Sequence, residues 1–169
     1  MSYLRRGCRV VLADIVPGNV ERAMTRIRES GLSDKALGVV LEQSDVLPLI
    51  PDGQFDVVSS HGVLHHIREP LSILQEFFRV MKGGGNLYVM LYTETLRAEM
   101  DAPVRELCMQ HGITPDEAFG WCVDGRGCPY ARRYTDEEGR AFLKEAGFIV
   151  RDSYETNGGR FRTFRAIKP

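Results

Sequence analysis

No apolar run in this 169-residue chain approaches the ~18 residues of a membrane-spanning helix, so no membrane partner is expected. The 22 Lys and Arg nearly cancel the 23 Asp and Glu, leaving a formal net charge of −1. An overall basic field, the footprint of nucleic-acid or acidic-membrane binding, is therefore missing. Internal repeats and low-complexity segments are absent, as are a Walker phosphate loop and an obvious catalytic triad. The N-terminal MSYLRRGCRVVLAD has basic residues before a short apolar run, but that run ends in an aspartate without a small-residue cleavage site. It reads as a core strand and not as a signal peptide. Glycine is plentiful, yet nothing like G-x-G-x-G stands before Asp14.

What is present has the balance of a globular protein, 43% hydrophobic and 27% charged residues, in a length that suits one domain. Arg9 to Asp14 (RVVLAD) has the apolar density of a strand inside a parallel sheet. Pro17 stands where a helix would start, Val20, Ala23, Met24 and Ile27 recur with helical spacing, and Gly31 suits the residue after its end. A second strand, roughly Ala36 to Gln43, leads to Ser44-Asp45, and a third, Phe55 to Ser60, follows the turn Pro51-Asp52-Gly53. From Pro70 to about Lys82, Leu71, Leu74, Phe78 and Met81 share one helical face, widened by Ile73, Phe77 and Val80. Gly83-Gly84-Gly85 should end that helix, and Asn86 to Tyr92 should form a fourth strand. Strand, loop, helix and strand in this order imply a parallel sheet, whose ligands bind beyond the carboxyl ends of its strands. Asp45, His61, Gly62, His65 and His66 all fall on that side.

Residues 94–134 interrupt the alternation with a polar helix around Leu96 to Gln110 and a loop rich in Gly, Pro, Trp and Cys, an insertion expected to cap the ligand site. Thr135-Asp136-Glu137-Glu138 is a capping box, with Gly147 at the far end of its helix. Phe148 to Glu155 and Arg160 to Ile167 are strand-like and meet at Asn157-Gly158, a strong hairpin signal. Cys108, Cys122 and Cys128 form C-x2-H-x10-C-x5-C with His111, but the second pair lacks the spacing of a zinc knuckle. The reading is no metal and, with Cys8, four reduced thiols suited to the cytoplasm.

From its second strand onwards, this succession resembles a class I S-adenosylmethionine (SAM)-dependent methyltransferase domain, over roughly residues 3–167. The LHHI at Leu64–Ile67 is typical of the small-molecule, type-11-like branch. The resemblance implies an α/β, Rossmann-like fold in a single domain over 1–169, mostly parallel, with strand order 3-2-1-4-5-7-6 and the terminal hairpin as strands 6 and 7. It also implies an N-terminally truncated version of that fold, lacking strand 1 and its glycine-rich turn. Strands 2 and 4 would then pair directly, or a dimer or other strand-supplying partner would fill the gap.

The same resemblance assigns roles. Asp14 would accept both ribose hydroxyls of SAM, with Ile15 packed against adenine; an aspartate here could also simply cap the next helix. Asp45 would receive the adenine amino group and the Val46 N–H a ring nitrogen, against the alternative of a solvated turn. Ser60, His61 and Gly62 would line the reactive methyl group, and His61, His65 or His66 could serve as a general base. Tyr130, Arg133 and Tyr134, in PYARRYT, fall where family members place substrate-side residues, though a solvated basic surface explains them as well. Arg151, Arg160, Arg162, Arg165 and Lys168 make the terminal hairpin basic, either as a phosphate surface or as protection of edge strands.

Three functions compete on these residues. The first is methyl transfer from SAM to a small molecule. The second is a methyltransferase-like binding domain that has lost its cofactor, and the third is a nicotinamide-dependent Rossmann enzyme in which Asp14 holds an NAD ribose.

Overall fold

The N-terminal part is one β-α-β passage. The computed structural model describes residues 2–41 and 50–169, which fall into two units, 1–48 and 49–169. The first contains α1 (Ser2–Arg5), β1 (Val10–Asp14), α2 (Pro17–Glu29) and β2 (Ala36–Val40). Pro17 sits in the first turn of α2, where its missing N–H would have had no partner. At the other end Gly31 has φ +69°, its N–H donates to the Arg28 carbonyl at 3.0 Å, and the Leu32 N–H donates to the Ile27 carbonyl at 3.2 Å. That double closure is a Schellman cap.

β1 and β2 are parallel, in register from Val10 opposite Ala36 to Asp14 opposite Val40. A Cβ at Gly38 would lie 2.7 Å from Val20 Cγ1 and 2.8 Å from Met24 Cγ, so the glycine lets α2 lie close on the strand. β2 stops at Val40, earlier than the sequence suggests, and the expected strand end at Ser44-Asp45 lies outside the described residues.

The second unit contains β3 (Phe55–His61), α3 (Pro70–Val80), β4 (Met81–Thr93), α4 (Glu94–Glu99), α5 (Asp101–His111), α6 (Pro115–Asp124), β5 (Arg133–Tyr134), α7 (Asp136–Glu145), β6 (Ile149–Thr156) and β7 (Phe161–Ile167). Its sheet runs β3-β4-β7-β6, with β5 also on β4. β3 and β5 are parallel to β4, β7 is antiparallel to it, and β6 is antiparallel to β7. Within the first unit β1 and β2, taken as strands 2 and 3, are neighbours, and within the second β3, β4, β7 and β6, taken as strands 4, 5, 7 and 6, keep the predicted order 4-5-7-6.

Two boundaries differ from the sequence reading. α3 ends at Val80 and the three glycines belong to β4, because the Gly84 N–H donates to the Lys168 carbonyl and the Lys168 N–H to that of Gly85. The expected helix 96–110 is broken at Met100, and part of the supposed loop is the helix α6, started by the Thr114 hydroxyl, which accepts the Glu117 N–H at 3.3 Å.

The capping box is present: the Thr135 hydroxyl accepts the Glu138 N–H at 3.1 Å, and the Glu138 carboxylate accepts the Thr135 N–H at 2.9 Å. The hairpin turn holds Asn157 and Gly158 at φ +53° and +66°.

Leu74 of α3 and Leu143 of α7 pack with Leu87, Val89, Leu91 and Phe164 of the sheet, all of them buried. Burying each such side chain contributes roughly 1.5–3 kcal/mol. A second cluster of Tyr92, Leu96, Val104, Ala118, Phe119 and Ala131 lies beneath α4 to α6, making the insertion a packed cap. Lys168 holds the end of α3, donating to the carbonyls of Phe78 at 2.7 Å and Met81 at 2.9 Å, where a cation also meets the negative end of the helix dipole.

Candidate functional site

β1 delivers Asp14 to the start of α2. One carboxylate oxygen accepts the Val16 N–H at 2.8 Å and the other accepts the Asn19 side-chain amide at 2.9 Å; Val16 is the N-cap residue of α2 and that helix start carries no side-chain cap. An ionised carboxylate has about four acceptor positions, which leaves room for two hydroxyl donors. The next residue, Ile15, is 63% exposed and offers an apolar face to a flat ring. Asp45 and Val46 lie outside the described residues.

β3 ends in Ser60 and His61. The Ser60 hydroxyl is buried without a hydrogen-bond partner among the described residues, and His61 is exposed. Gly62 has φ +75°, the left-handed region that favours glycine, and a Cβ there would meet nothing within 4 Å. The glycine therefore serves the turn.

The turn tucks His65 inwards and leaves His66 half-buried. Burial, helped by the neighbouring His66, lowers the His65 pKa to about 3 against a weaker pull from the nearby Met90 backbone, and neither ring nitrogen has a partner in good hydrogen-bond geometry among the described residues. His65 is thus a neutral packing residue. The three histidines have separate situations: His61 faces solvent, His65 the core, and His66 the cap.

The cap brings its own groups to this loop. The Arg132 N–H donates to the His65 carbonyl at 2.8 Å, and His66 Nδ1 lies 2.9 Å from the Tyr130 carbonyl. Tyr130 and Tyr134 are buried, with Arg68 over the first ring at 4.7 Å and Arg132 over the second at 4.9 Å. Burial pushes the Tyr134 phenol up to about 12. Arg133 Nε lies 3.3 Å from a Glu94 carboxylate oxygen, an ion pair off hydrogen-bond geometry. Tyr134 and Thr93 also line an open cleft of about 440 Å³, in which Glu94, Glu137 and Glu155 face Arg162.

Asp124 and Cys128 meet His66 and Tyr92 stacks on His65; the sequence reading gave Tyr92 and Asp124 no role and took Cys128 as a reduced thiol. The Tyr92 hydroxyl donates to the Asp124 carboxylate, 2.9 and 3.1 Å from its two oxygens. Burial and the Asp124 charge raise the Tyr92 pKa. Asp124 is the last residue of α6, a stretch that the sequence reading treated as loop, so no local pattern marked it. Three of the five basic residues at the hairpin are ion-paired: Arg160 with Glu99 at 2.7 Å, Arg162 with Asp136 at 2.6 Å, and Arg165 with Asp152 at 2.8 Å. Such pairing weighs against a phosphate surface, and edge protection fits only Arg151 of the outer strand β6, since β7 lies between β4 and β6.

A family model described as a methyltransferase domain (Methyltransf_11) matches residues 1–89. The chain is 26% identical over 165 residues to the ubiquinone/menaquinone biosynthesis C-methyltransferase of Vibrio vulnificus, covering 94% of this chain and 62% of that one. It spans as little as 24% of another curated relative, from Synechococcus, so these relatives are considerably longer. Among solved structures, a geranyl diphosphate methyltransferase in complex with SAM superposes with a TM-score of 0.68 at 12% identity, covering 100% of this chain and 72% of that one. A [4+2]-cyclase superposes with a TM-score of 0.71 at 15% identity, covering 99% and 70%. Both likenesses concern the fold.

Proposed function

The chain belongs to the class I SAM-dependent methyltransferases, and from that premise we propose that it binds SAM and takes part in methyl transfer to a small-molecule acceptor. Family membership also weighs against the nicotinamide reading. The observation that carries the proposal is the end of β1, where a half-buried Asp14 with spare acceptor capacity is followed by an exposed Ile15. Asp14 takes the ribose hydroxyls and Ile15 packs on adenine. Asp45 and the Val46 N–H read the edge of the base.

SAM supplies a methyl group on a positively charged sulfur, which leaves as a neutral thioether. The protein's work is then mainly alignment and exclusion of water, worth about 7–11 kcal/mol in favourable cases. Ser60, His61 and Gly62 line the reaction side in this reading. His61, being exposed, can take a proton from an acceptor that has to lose one, and His66 can do so only after leaving its cap partners. Tyr130, Arg133 and Tyr134 form the acceptor side. The quinone-pathway name of the Vibrio relative and the name of the geranyl diphosphate methyltransferase support a small-molecule acceptor, as does a net charge of −1.

A non-catalytic binding domain is favoured by one observation, the engagement of both Asp14 oxygens within its own segment. Calorimetric titration with S-adenosylhomocysteine separates the two. The enzyme reading expects binding that weakens roughly ten- to over a hundred-fold in Asp14→Ala, the worth of a charge-assisted pair at about 1.5–3 kcal/mol, and less in Asp45→Ala. A cooperatively folded protein without nucleoside affinity would instead select the binding domain.

A further inference from the structure

We propose that His66, Asp124 and Cys128 form a site for one divalent ion of the zinc class, clamping the loop after β3 to the cap. One potential ligand atom from each residue lies within 4.8 Å of the others. The Cys128 sulfur is 3.6 Å from His66 Nδ1, and Asp124 Oδ2 is 3.5 Å from His66 Nε2. The Nε2–Oδ2 separation matches one edge of a tetrahedron with metal–ligand bonds of about 2.0–2.3 Å, while the sulfur lies nearer the other ring nitrogen. Four cysteine and histidine positions in the sequence, Cys108, His111, Cys122 and Cys128, argue against zinc by their spacing. The three-dimensional group draws only Cys128 from that set.

The surroundings of the three residues have the form of an outer shell. With the His66 Nδ1–H directed to the Tyr130 carbonyl at 2.9 Å, the Nε2 lone pair faces the Asp124 carboxylate. Two acceptors then oppose one another, and a cation between them relieves the conflict. A ligating histidine that gives its other N–H to a backbone carbonyl is the usual arrangement around zinc. On the far side of the carboxylate, the Tyr92 hydroxyl fixes Asp124 by donating to it. At Gly120 of α6, a Cβ would lie 2.9 Å from the Cys128 sulfur and 3.3 Å from its carbonyl, so the absent side chain seats the thiol against the helix.

Nitrogen, sulfur and oxygen together suit zinc and exclude the hard, all-oxygen preferences of magnesium and calcium. Burial keeps the Cys128 thiol protonated. Binding replaces that proton with the metal, forming one S–metal bond and releasing one H⁺ to solvent. In the proposed site the ion takes Nε2 and the Asp124 carboxylate as they stand, the thiolate by a turn of the Cys128 side chain away from Nδ1, and a water as fourth ligand. This inference is independent of the methyl-transfer reading.

The test is metal uptake by the chelator-stripped protein. After one equivalent of Zn²⁺ and desalting, about one zinc per chain should remain, with a raised melting temperature. Co²⁺ added to the same protein should give a thiolate-to-cobalt charge-transfer band, a readout that needs no variant. Cys128→Ser and His66→Asn should each abolish retention, and Tyr92→Phe should weaken binding roughly ten- to a hundred-fold, as loss of an outer-shell partner does. Cys8→Ser and Cys108→Ser should keep it. Absence of retained zinc and of the cobalt band in the parent protein would overturn the proposal. So would retention lost with Cys8 or Cys108 but kept without Cys128.

Discussion

The ring of His65 lies on that of Tyr92, with centroids 3.6 Å apart and planes 23° from parallel. A side chain that usually titrates near neutrality is thereby converted into part of an aromatic stack.

This has a pH consequence of definite sign. The His65 pKa is held down to about 3 in the folded chain, against about 6.5 when unfolded. Its contribution to stability is therefore complete above pH ~6.5. It is lost as pH falls towards 3, by up to about 1.4 kcal/mol per unit, because only the unfolded state binds the proton. His65→Phe should keep the stack and flatten this part of the pH dependence. Urea denaturation at pH 7 and pH 5 measures it, and equal slopes in both proteins would contradict the assignment.

Gly139 is fixed by its neighbour. A Cβ there would lie 2.2 Å from Phe164 Cζ, which is itself buried in the sheet. Alanine would gain up to about 1 kcal/mol of helix propensity but lose more to overpacking, typically 1–3 kcal/mol. Gly139→Ala should lower the melting temperature by a few degrees, and Phe164→Leu in the same chain should recover part of the loss. A melting temperature unchanged by Gly139→Ala would show that the ring moves aside freely.

Asp136 ties the start of α7 to the hairpin through Arg140, Arg162 and Ser153. Partial burial would raise its pKa, but bonds from Arg140, Arg162 and Ser153 win and hold it down to about 2. A depressed carboxylate contributes stability above its unfolded pKa of about 3.9 and loses it as pH falls to about 2. Asp136→Asn should destabilise at pH 7, and its difference from the parent should shrink through pH 3 and vanish only below about pH 2. Thermal melts across that range decide it.

Thr135→Ala removes the acceptor for the Glu138 N–H and should cost about 1 kcal/mol. Thr135→Ser should be nearly neutral. Equal loss in both variants would assign the effect to the threonine methyl group instead of the cap.

Where information was local, the sequence already contained the answer. Pro17, the Thr135 box and Asn157-Gly158 mark their element ends by backbone requirements that hold in any surroundings. α6 was hidden because Gly120, Trp121 and Cys122 suggest a loop, although Thr114-Pro115-Asp116-Glu117 is a good helix start. The glycines of β4 misled for the opposite reason: a helix-stop residue there joins a strand, and the partner that decides it is Lys168, far along the chain. At the candidate site, the positions of Asp14, His61 and Gly62 were legible as strand ends. The burial of His65 and the meeting of His66 with Asp124 and Cys128 depend on cap packing across about sixty residues, which no spacing rule encodes.

The place of β4 between β3 and β7 also sets an order of events during synthesis. β3, α3 and β4 leave the ribosome together, but the strand that covers the other side of β4 emerges about seventy residues later. At translation rates of about 5–20 residues per second, that is a wait of roughly 4–15 s. Throughout it, the backbone of β4 is an uncovered edge beside Leu87, Val89 and Leu91, the kind of surface that pairs with whatever strand is nearby. The nascent chain is thus most exposed to misassembly and to chaperone capture in the interval between residues 93 and 161, and slow codons placed there would lengthen the risk.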